Sequence, residues 1–567
     1  MAIHQTENRD ASRARPLKRG LEALAALAGT LVAVILLVIT AMNSGPLWRD
    51  EVNTINMAQM ASLRELWNNM PFESFPLLWT LILRGCDFLG LANSDAEIRG
   101  LGLLTGLFFL ASLWLCSRWI GGRAPTISIA LLGSLPAFLF IIGANRAYGL
   151  ASGLLVLCFG MLWRMIAFPS RLRVLWTGLV CVLFVQCVYY DIVFLSAMLS
   201  GAAIVVIQRK QWRTLAALIG IGASAGLSIL IYLPVIHHGS TYVPMNQDRL
   251  FNYSLLWYKI RDTVTAQSSA QTPPFDGPEV WLWVMLLLGG SIVALVMQRK
   301  LDRETRNPKA AAANFVRARH DLTLFSFVSV LFGMAGYMAF LVKLQYCTQA
   351  WYYVEMLCLC AISLDGLWGA TWPAWRPSGL LRIGFMMLVM TWNARSAWEE
   401  AHTRRSNVDL IAETLGDSAV PGDLIVVKGA WEGITFDRYY HGQAPWVTVP
   451  PIDSHKVHRN DLVMEKIKQL DPMAPVLRQI TNTLHNGHSV WIVADKAVKN
   501  PKHLPAPPTP QDDGWLPHMY YWSAQIMVLL HDHALQERDV RIPVNGPVSH
   551  LENLSATQFS GYKTDTD

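Results

Sequence analysis

The chain is 567 residues long, 52% hydrophobic and only 16% charged. A soluble globular domain carries about 25% charged residues, so the composition excludes a water-soluble protein and points to one embedded in a membrane. The net charge of +6 comes from Lys and Arg clustered between apolar stretches, the distribution that membrane topology demands, and it calls for no nucleic acid.

A basic N-terminus, residues 1–20, closes on Pro16-Leu17-Lys18-Arg19-Gly20 and is followed by an apolar run from Leu21 to Met42. A bilayer-spanning helix needs about 20 apolar residues, whereas the apolar core of a secretion signal has only about 7–15. The run therefore predicts an uncleaved anchor with the N-terminus in the cytoplasm. Further apolar segments recur at 101–119, 125–143, 149–166, 173–189, 190–207, 214–235, 280–297, 322–343, 352–369 and 378–394. They predict a membrane domain over 21–395 with about eleven spans. The stretch Phe75–Ala92 is apolar but short, and it holds Arg84 and Asp87. If it spanned, the basic connections Arg118–Arg123, Arg164–Arg173, Arg209–Arg213, Arg299–Arg319 and Trp372–Arg376 would all face outward, against the positive-inside rule. It is therefore placed in the outer interface, as an amphipathic or re-entrant helix.

That sidedness leaves a first outer loop at 43–99, turns at Asn145–Tyr148, Tyr189–Asp191 and 344–351, a loop at 236–279, and everything beyond 395 on the outer face. From 396 to 567 the chain turns polar. The helix-like Val408–Leu415, the turn Val420-Pro421-Gly422 and the strand-like Asp423–Val427 and Ser489–Val493 predict a small extracytoplasmic α/β domain. Leu504–Pro510 is Pro-rich and reads as a loop or extended linker. Eight cysteines, none after Arg395, lie in or beside apolar stretches without zinc-site spacing, and read as small buried hydrophobes. No internal repeat, P-loop or dinucleotide-binding glycine pattern occurs. The expected fold is a polytopic α-helical membrane protein with a C-terminal α/β domain.

Three groups of residues converge on the outer face. Asp50-Glu51 follow the first span, Glu73-Ser74-Phe75-Pro76-Leu77 lies in the same loop, and Asn145-Arg146-Ala147-Tyr148 follows the 125–143 segment. A carboxylate beside a membrane-embedded Arg can deprotonate a hydroxyl, while the guanidinium, or a metal held by the acids, neutralises a lipid-linked phosphate. More plainly, two acids suit the first turn of any helix, and Tyr148 suits an interfacial aromatic belt.

In this order the motifs resemble those of the GT-C superfamily of multi-spanning glycosyltransferases, which includes the protein O-mannosyltransferases and the bacterial lipid A aminoarabinose transferase. Those enzymes use a polyprenyl-phosphate sugar donor. Their first outer loop carries an acidic pair, matched by Asp50-Glu51, and then a His-Pro-Pro-Leu-like motif, here Ser74-Phe75-Pro76-Leu77 without the His and one Pro. The Arg-x-Tyr typical of the bacterial branch is matched by Arg146-Ala147-Tyr148. The resemblance covers roughly 20–395. It implies Asp50 as general base on the acceptor, with Glu51 assisting it or ligating a divalent cation (Mg, Mn or Ca). It implies Arg146 on the donor phosphate and Tyr148 on phosphate or sugar. A single important carboxylate acting as base predicts an inverting transfer, and the resemblance implies an inner or plasma membrane location and an acceptor protein, lipid or glycan.

Other outer-face residues extend the set. Lys343 and Tyr346 close the 322–343 span and suit the donor phosphate; a Lys there equally snorkels to lipid headgroups. Glu73, His237 and Tyr352 are acceptor-side candidates. Adjacent His237 and His238 point about 100° apart on a helix and cannot easily share one ion. In the tail, Phe436–Gly442 and His455–Asp461 are rich in polar side chains; the second fits no zinc motif and reads as a solvated loop. An O-antigen ligase or polymerase is an alternative, but the 236–279 loop holds only Arg249 and Arg261 as arginines. A transporter is a further alternative, from which the repeats and mid-span charges of that class are missing.

Overall fold

The computed structural model describes residues 2–120, 123–242, 253–265, 278–304, 310–345, 348–371, 378–495, 503–508 and 514–563. Tyr346, the connection Trp372–Arg376 and the middle of the 236–279 loop lie outside the described residues.

The first helix, α1 (Ala2–Asn43), carries few polar groups in its apolar part, and its hydroxyl and amide side chains are satisfied within the helix. Thr30, Thr40 and Asn43 each donate to the carbonyl four residues back, at 2.7, 2.8 and 2.8 Å, as polar side chains must where no water is available. Gly45 then turns the chain at φ +66°, a conformation glycine adopts without steric cost. A Cβ there would meet the Arg404 guanidinium at 2.8 Å. The turn delivers the chain to α2 (Arg49–Ala58), followed by α3 (Leu63–Asn69), a 3-10 turn at Met70–Phe72 and α4 (Leu77–Phe88). With twelve residues, α4 is about 18 Å long and too short to cross a bilayer. Its Arg84 donates to the carbonyls of Ala58 and Met60 at 2.9 and 2.5 Å, which ties α4 to the end of α2.

The core of the membrane half forms where α5 (Asp95–Ile120) meets the later helices. The segment 125–143 was expected as one span and is instead two short helices, α6 (Thr126–Leu132) and α7 (Pro136–Ile142). Pro136 has no N–H to continue the helix. Both halves are largely buried in protein, which is where a broken helix is tolerated at membrane depth. Next come α8 (Tyr148–Ala167), α9 (Arg171–Val185), α10 (Asp191–Gln208), α11 (Trp212–Leu230), α12 (Leu233–Ser240), α13 (Tyr253–Thr265), α14 (Pro278–Glu304), α15 (Ala310–Leu344), α16 (Val354–Thr371) and α17 (Ser378–Ala401). The expected basic loop Arg299–Arg319 is thus mostly helix, α14 running to Glu304 and α15 starting at Ala310. Among the described residues, seven helices are long and apolar enough to cross a membrane. The expected segments at 125–143, 173–189, 280–297 and 378–394 are not among the seven: the first is broken, α9 has 15 residues, the apolar stretch of α14 described is Val280–Ile292, and α17 carries Arg382, Arg395, Glu399 and Glu400.

Two features hold this bundle. Glycines let α8 approach α5: a Cβ on Gly149 would lie 2.4 Å from Thr105 Oγ1 and 2.5 Å from the Ile142 carbonyl, and one on Gly153 2.5 Å from the Phe108 ring. Small residues four apart are the usual device for close helix contact in lipid. At the end of the bundle away from Asp50, Arg382 pairs with Glu22 at 2.8 Å and with Asp365 at 2.6 Å. Asp365 also accepts the N–H groups of Ile127 and Ser128 at 3.1 and 2.9 Å. Four helices are thereby joined by charges that are costly to bury singly and are buried paired.

Beyond α17 the chain forms a five-stranded mixed sheet. Its strands are β1 (Leu424–Val427), β2 (Trp446–Thr448), β3 (Val490–Asp495), β4 (Ala534–Val540) and β5 (Leu554–Tyr562), in the order β2-β1-β3-β5-β4. β2, β1 and β3 are parallel, and β5 runs antiparallel to β3 and β4. Ile425 and Val427 face α18 (Val408–Ser418) and α19 (Glu432–Tyr439). After α20 (Asn460–Ile467), the opposite face is covered by α21 (Ala474–His485) and α22 (Trp515–His533), against Leu424 and Val426. With both faces covered, β1 reads as a continuous apolar run, as its sequence does.

Gly149→Ala is expected to wedge α8 from α5 and cost about 1–3 kcal/mol, the usual range for overpacking. Thermal unfolding of the purified protein measures it, and an unchanged midpoint counts against the close contact.

Candidate active site

The first turn of α2 places two adjacent acids in opposite environments. The side chain of Glu51 is fully buried. One oxygen accepts the Trp48 N–H at 3.2 Å and so caps the helix. The other accepts Arg99 Nη1 at 2.6 Å and the Asn145 N–H at 2.9 Å, with Arg405 Nη1 at 3.7 Å. Burial alone would raise the Glu51 carboxyl; the Arg99 and Arg405 guanidiniums and the Asn145 N–H outweigh it and hold it below the usual carboxylate range. Asp50 is one residue earlier and about 100° around the helix. Its side chain remains 20% exposed, with Arg49 Nε at 3.8 Å and His458 Nε2 at 3.7 Å from Oδ1, and Arg146 Nη2 at 3.9 Å from Oδ2.

Arg146 is the hub of the second group. Its Nη1 donates to Thr54 Oγ1 at 2.6 Å and to the Asp50 carbonyl at 2.8 Å, and pairs with Glu73 at 3.1 Å. Its guanidinium lies 4.3 Å above the Phe75 ring. Phe75 in turn meets Tyr148 edge-on at 5.0 Å. Glu73 has no exposed side-chain surface and also accepts from Asn53, Thr54 and the Ser74 N–H at 3.1, 2.8 and 2.8 Å. The stretch Glu73–Phe75 therefore fixes Arg146 in place, and Glu73, an acceptor-side candidate by sequence, faces the protein interior. Thr54 and Glu73 occupy Nη1, while Nη2 points toward the Asp50 carboxylate.

The tail completes the site. The stretch His455–Asp461, expected as a solvated loop, docks on α2. Val457 is buried against Met57, Leu66 and Met70, Asn56 donates to the Lys456 carbonyl at 2.7 Å, and the His458 N–H donates to Asn53 Oδ1 at 2.9 Å. His458 Nε2 is buried and has no hydrogen-bond partner among the described residues. Arg49 pairs with Glu432 at 2.9 Å. Arg438 and the Tyr439 hydroxyl both reach Asp95, at 2.7 and 2.5 Å, and Tyr439 accepts the Leu47 N–H at 2.7 Å.

The remaining candidates divide. Tyr148 is buried beside Phe75, and Tyr352 is half-buried with its ring 6.3 Å from Tyr190 and close enough to Arg146 to perturb it. His237 and Lys343 are exposed, and among the described residues no hydrogen bond or ion pair joins either to Asp50. Sequence reasoning missed Arg49, Arg99, Arg405, Glu432 and His458. Arg49 adjoins the acidic pair and His458 lies in the polar stretch His455–Asp461, both usable signals; Arg99, Arg405 and Glu432 come from segments far away along the chain and carried none.

A cavity of about 320 Å³ opens beside these elements, lined by Lys259, Asp262, Trp351, Glu400, Thr403 and His550 among others. Trp351 meets Trp48, the N-cap of α2, edge-on at 5.8 Å.

No family model matches this sequence, and no curated protein does. Among solved structures the chain is similar to ArnT and AglB. ArnT from Cupriavidus metallidurans bound to undecaprenyl phosphate aligns over 83% of this chain and 93% of its own, at 12% identity and a TM-score of 0.34. The Archaeoglobus fulgidus oligosaccharyltransferase in complex with Zn and sulfate aligns over 83% and 68%, at 10% identity and 0.46. The archaeal oligosaccharyltransferase AglB from the same organism, with an inhibitory peptide and a dolichol-phosphate, aligns over 91% and 72%, at 10% and 0.45. At such values the side chains of the site, not these likenesses, carry the functional reading.

The residues present do not fit a divalent cation at Asp50-Glu51. Glu51 is spent on two arginines, and Asp50 is flanked by two more guanidiniums that would repel a cation. Among the described residues no group of three or more His, Cys, Asp or Glu could hold a metal ion.

Burial pulls His458 from its ordinary 6.5 down to about 4, the nearby Asp50 only partly opposing it. The docked loop thus holds a neutral imidazole at pH 7. Because the folded value is depressed, the stability it contributes is present above about pH 6.5 and lost as pH falls toward 4. With the side chain 20% exposed, the loss is expected to be up to about 3 kcal/mol. Unfolding midpoints of the wild type and His458→Asn at pH 7 and 4.5 test this: the wild type should lose more on acidification, and equal losses argue against it.

Proposed function

We propose that this chain is an integral-membrane glycosyltransferase. It moves a sugar from a polyprenyl-phosphate donor to an acceptor on the outer face of the membrane, with Asp50 as general base. The observation that supports this reading is the contrast between the acids of the first loop. Glu51 and Glu73 have no exposed side-chain surface, whereas Asp50 keeps 20% and lies among Arg49, Arg146 and His458. A base with a route to its substrate and cations beside it suits a reaction in which a hydroxyl loses a proton as a phosphate departs.

In the step this geometry favours, the acceptor hydroxyl gives its proton to an Asp50 oxygen and attacks the anomeric carbon. The bond from that carbon to the phosphate oxygen breaks, and its electron pair stays on the lipid phosphate. Arg146 Nη2 and Arg49 neutralise the charge that develops there. One displacement assisted by one base inverts the anomeric centre. Glu51 and Glu73 are positioning residues: Glu51 fixes the start of α2, and Glu73 fixes the guanidinium of Arg146. Tyr148 and Tyr352 are close enough to Arg146 to act on its charge and in this reading contact the donor, and the acceptor is a protein, lipid or glycan.

Asp50→Asn is expected to lower turnover with a polyprenyl-phosphate sugar by about 10²- to 10⁴-fold with an unchanged unfolding midpoint. Glu51→Gln is expected to lower both activity and midpoint. Turnover of Asp50→Asn within a few-fold of wild type in a purified assay would sink the assignment.

A further inference from the structure

A second cavity, of about 350 Å³, lies at the opposite end of the bundle from Asp50. It sits between the C-terminal ends of α5 and α8 and the start of α9, with Trp119, Arg164, Ser170, Arg173, Trp176 and Thr177 in its wall. The 20 residues of α8 set it about 30 Å from Tyr148, roughly one bilayer core away.

Its lining has the chemistry of an anion site. Two arginines line it, Arg173 with its Nη1 donating to the Phe168 carbonyl, and among the described residues no Asp or Glu is in its wall. Arg164 lies over the Trp119 ring at 5.5 Å, which orients its guanidinium without neutralising it. Ser170 caps α9 by accepting the Arg173 N–H at 3.3 Å, so the positive end of a 15-residue helix meets the cavity. Thr177 supplies an independent sign: it is 1% exposed, yet its hydroxyl has no hydrogen-bond partner among the described residues. A buried hydroxyl left unpaired is costly, and a ligand oxygen would satisfy it. Around the cavity, Phe168, Leu172, Leu175 and Trp176 are all more than half exposed, an apolar rim suited to acyl chains.

We propose that this cavity binds the phosphodiester headgroup of an anionic phospholipid, with Arg164 and Arg173 on the phosphate and the Thr177 hydroxyl donating to one of its oxygens. Basic pockets between membrane helices on the cytoplasmic side bind such headgroups, and the Arg164–Arg173 connection is one of the five basic connections expected inside. The site is separate from Asp50 and stands whether or not the proposed transferase activity does.

The test is lipid retention by the purified full-length protein in native mass spectrometry, with phosphatidylglycerol, phosphatidylethanolamine, undecaprenyl phosphate and inorganic phosphate as probes. Phosphatidylglycerol is expected to be retained over phosphatidylethanolamine. R164Q/R173Q is expected to weaken it roughly a hundredfold or more, as two charge-assisted hydrogen bonds are lost, with the unfolding midpoint in detergent unchanged. T177V is expected to weaken it a few-fold, and decides the matter if the double variant fails to fold. Equal retention of the two phospholipids, or binding untouched by these substitutions, overturns the proposal. Tighter binding of inorganic phosphate or undecaprenyl phosphate than of phosphatidylglycerol overturns it too, in favour of a free-anion or a donor-lipid site.

Discussion

The carboxylate of Glu51 is the point on which the half of this molecule around the first loop turns. It joins the start of α2 to α5 through Arg99, to the turn before α8 through the Asn145 N–H, and to the tail through Arg405. A carboxylate with no exposure cannot be left with half its partners: removing one side of a buried pair costs about 3–5 kcal/mol, because the other charge stays buried. The same group that is expensive to bury is therefore what locks three segments into one geometry. Arg405 adds its N–H to the Ser44 carbonyl at 2.8 Å and its guanidinium over Phe140 at 4.3 Å, so the tail is fastened where the first loop begins.

Once Glu51 is fixed inward, the helical repeat fixes Asp50. A step of about 100° turns the Asp50 side chain away from the Arg99 and Arg405 pairs of Glu51 and toward Arg146 and His458. Neighbouring residues of identical charge thereby acquire different environments, one fully buried in the frame and the other partly open to solvent. Arg146 shows the same division within a single side chain. Thr54 and Glu73 take up Nη1, and Nη2 is turned to the Asp50 carboxylate.

The bundle is pinned at both ends by buried charge, by Glu51 with Arg99 and Arg405 on one side and by Glu22, Arg382 and Asp365 on the other. Between them the packing is apolar and close, with glycines on α8 admitting α5. Apolar contact gives little direction to helix association in lipid, since the tails are as apolar as the side chains. Ion pairs and small-residue contacts supply the register that hydrophobicity does not.

Much of this was legible in the chain. The apolar segments follow from the length a bilayer requires, and the short strands of the tail from their apolar runs between turns. Asp50, Arg146 and Tyr148 were legible as a set because they flank spans, and the end of a span fixes which membrane face a residue occupies. Other features were not. The break between α6 and α7 needed the knowledge that protein, not lipid, surrounds it. Arg99 and Arg405 looked like ordinary polar residues and His458 like part of a solvated loop, because nothing local distinguishes a partner that lies far away along the chain. The sequence alone determined that this is a multi-span helical protein with an α/β tail and an acid pair just beyond its first span, since bilayer thickness and hydropathy act on local segments. Only the tertiary structure decided which acid of the pair is open and which is buried. It also decided that the tail reaches back to the site, because burial and charge pairing depend on what packs around a side chain, not on its neighbours in the chain.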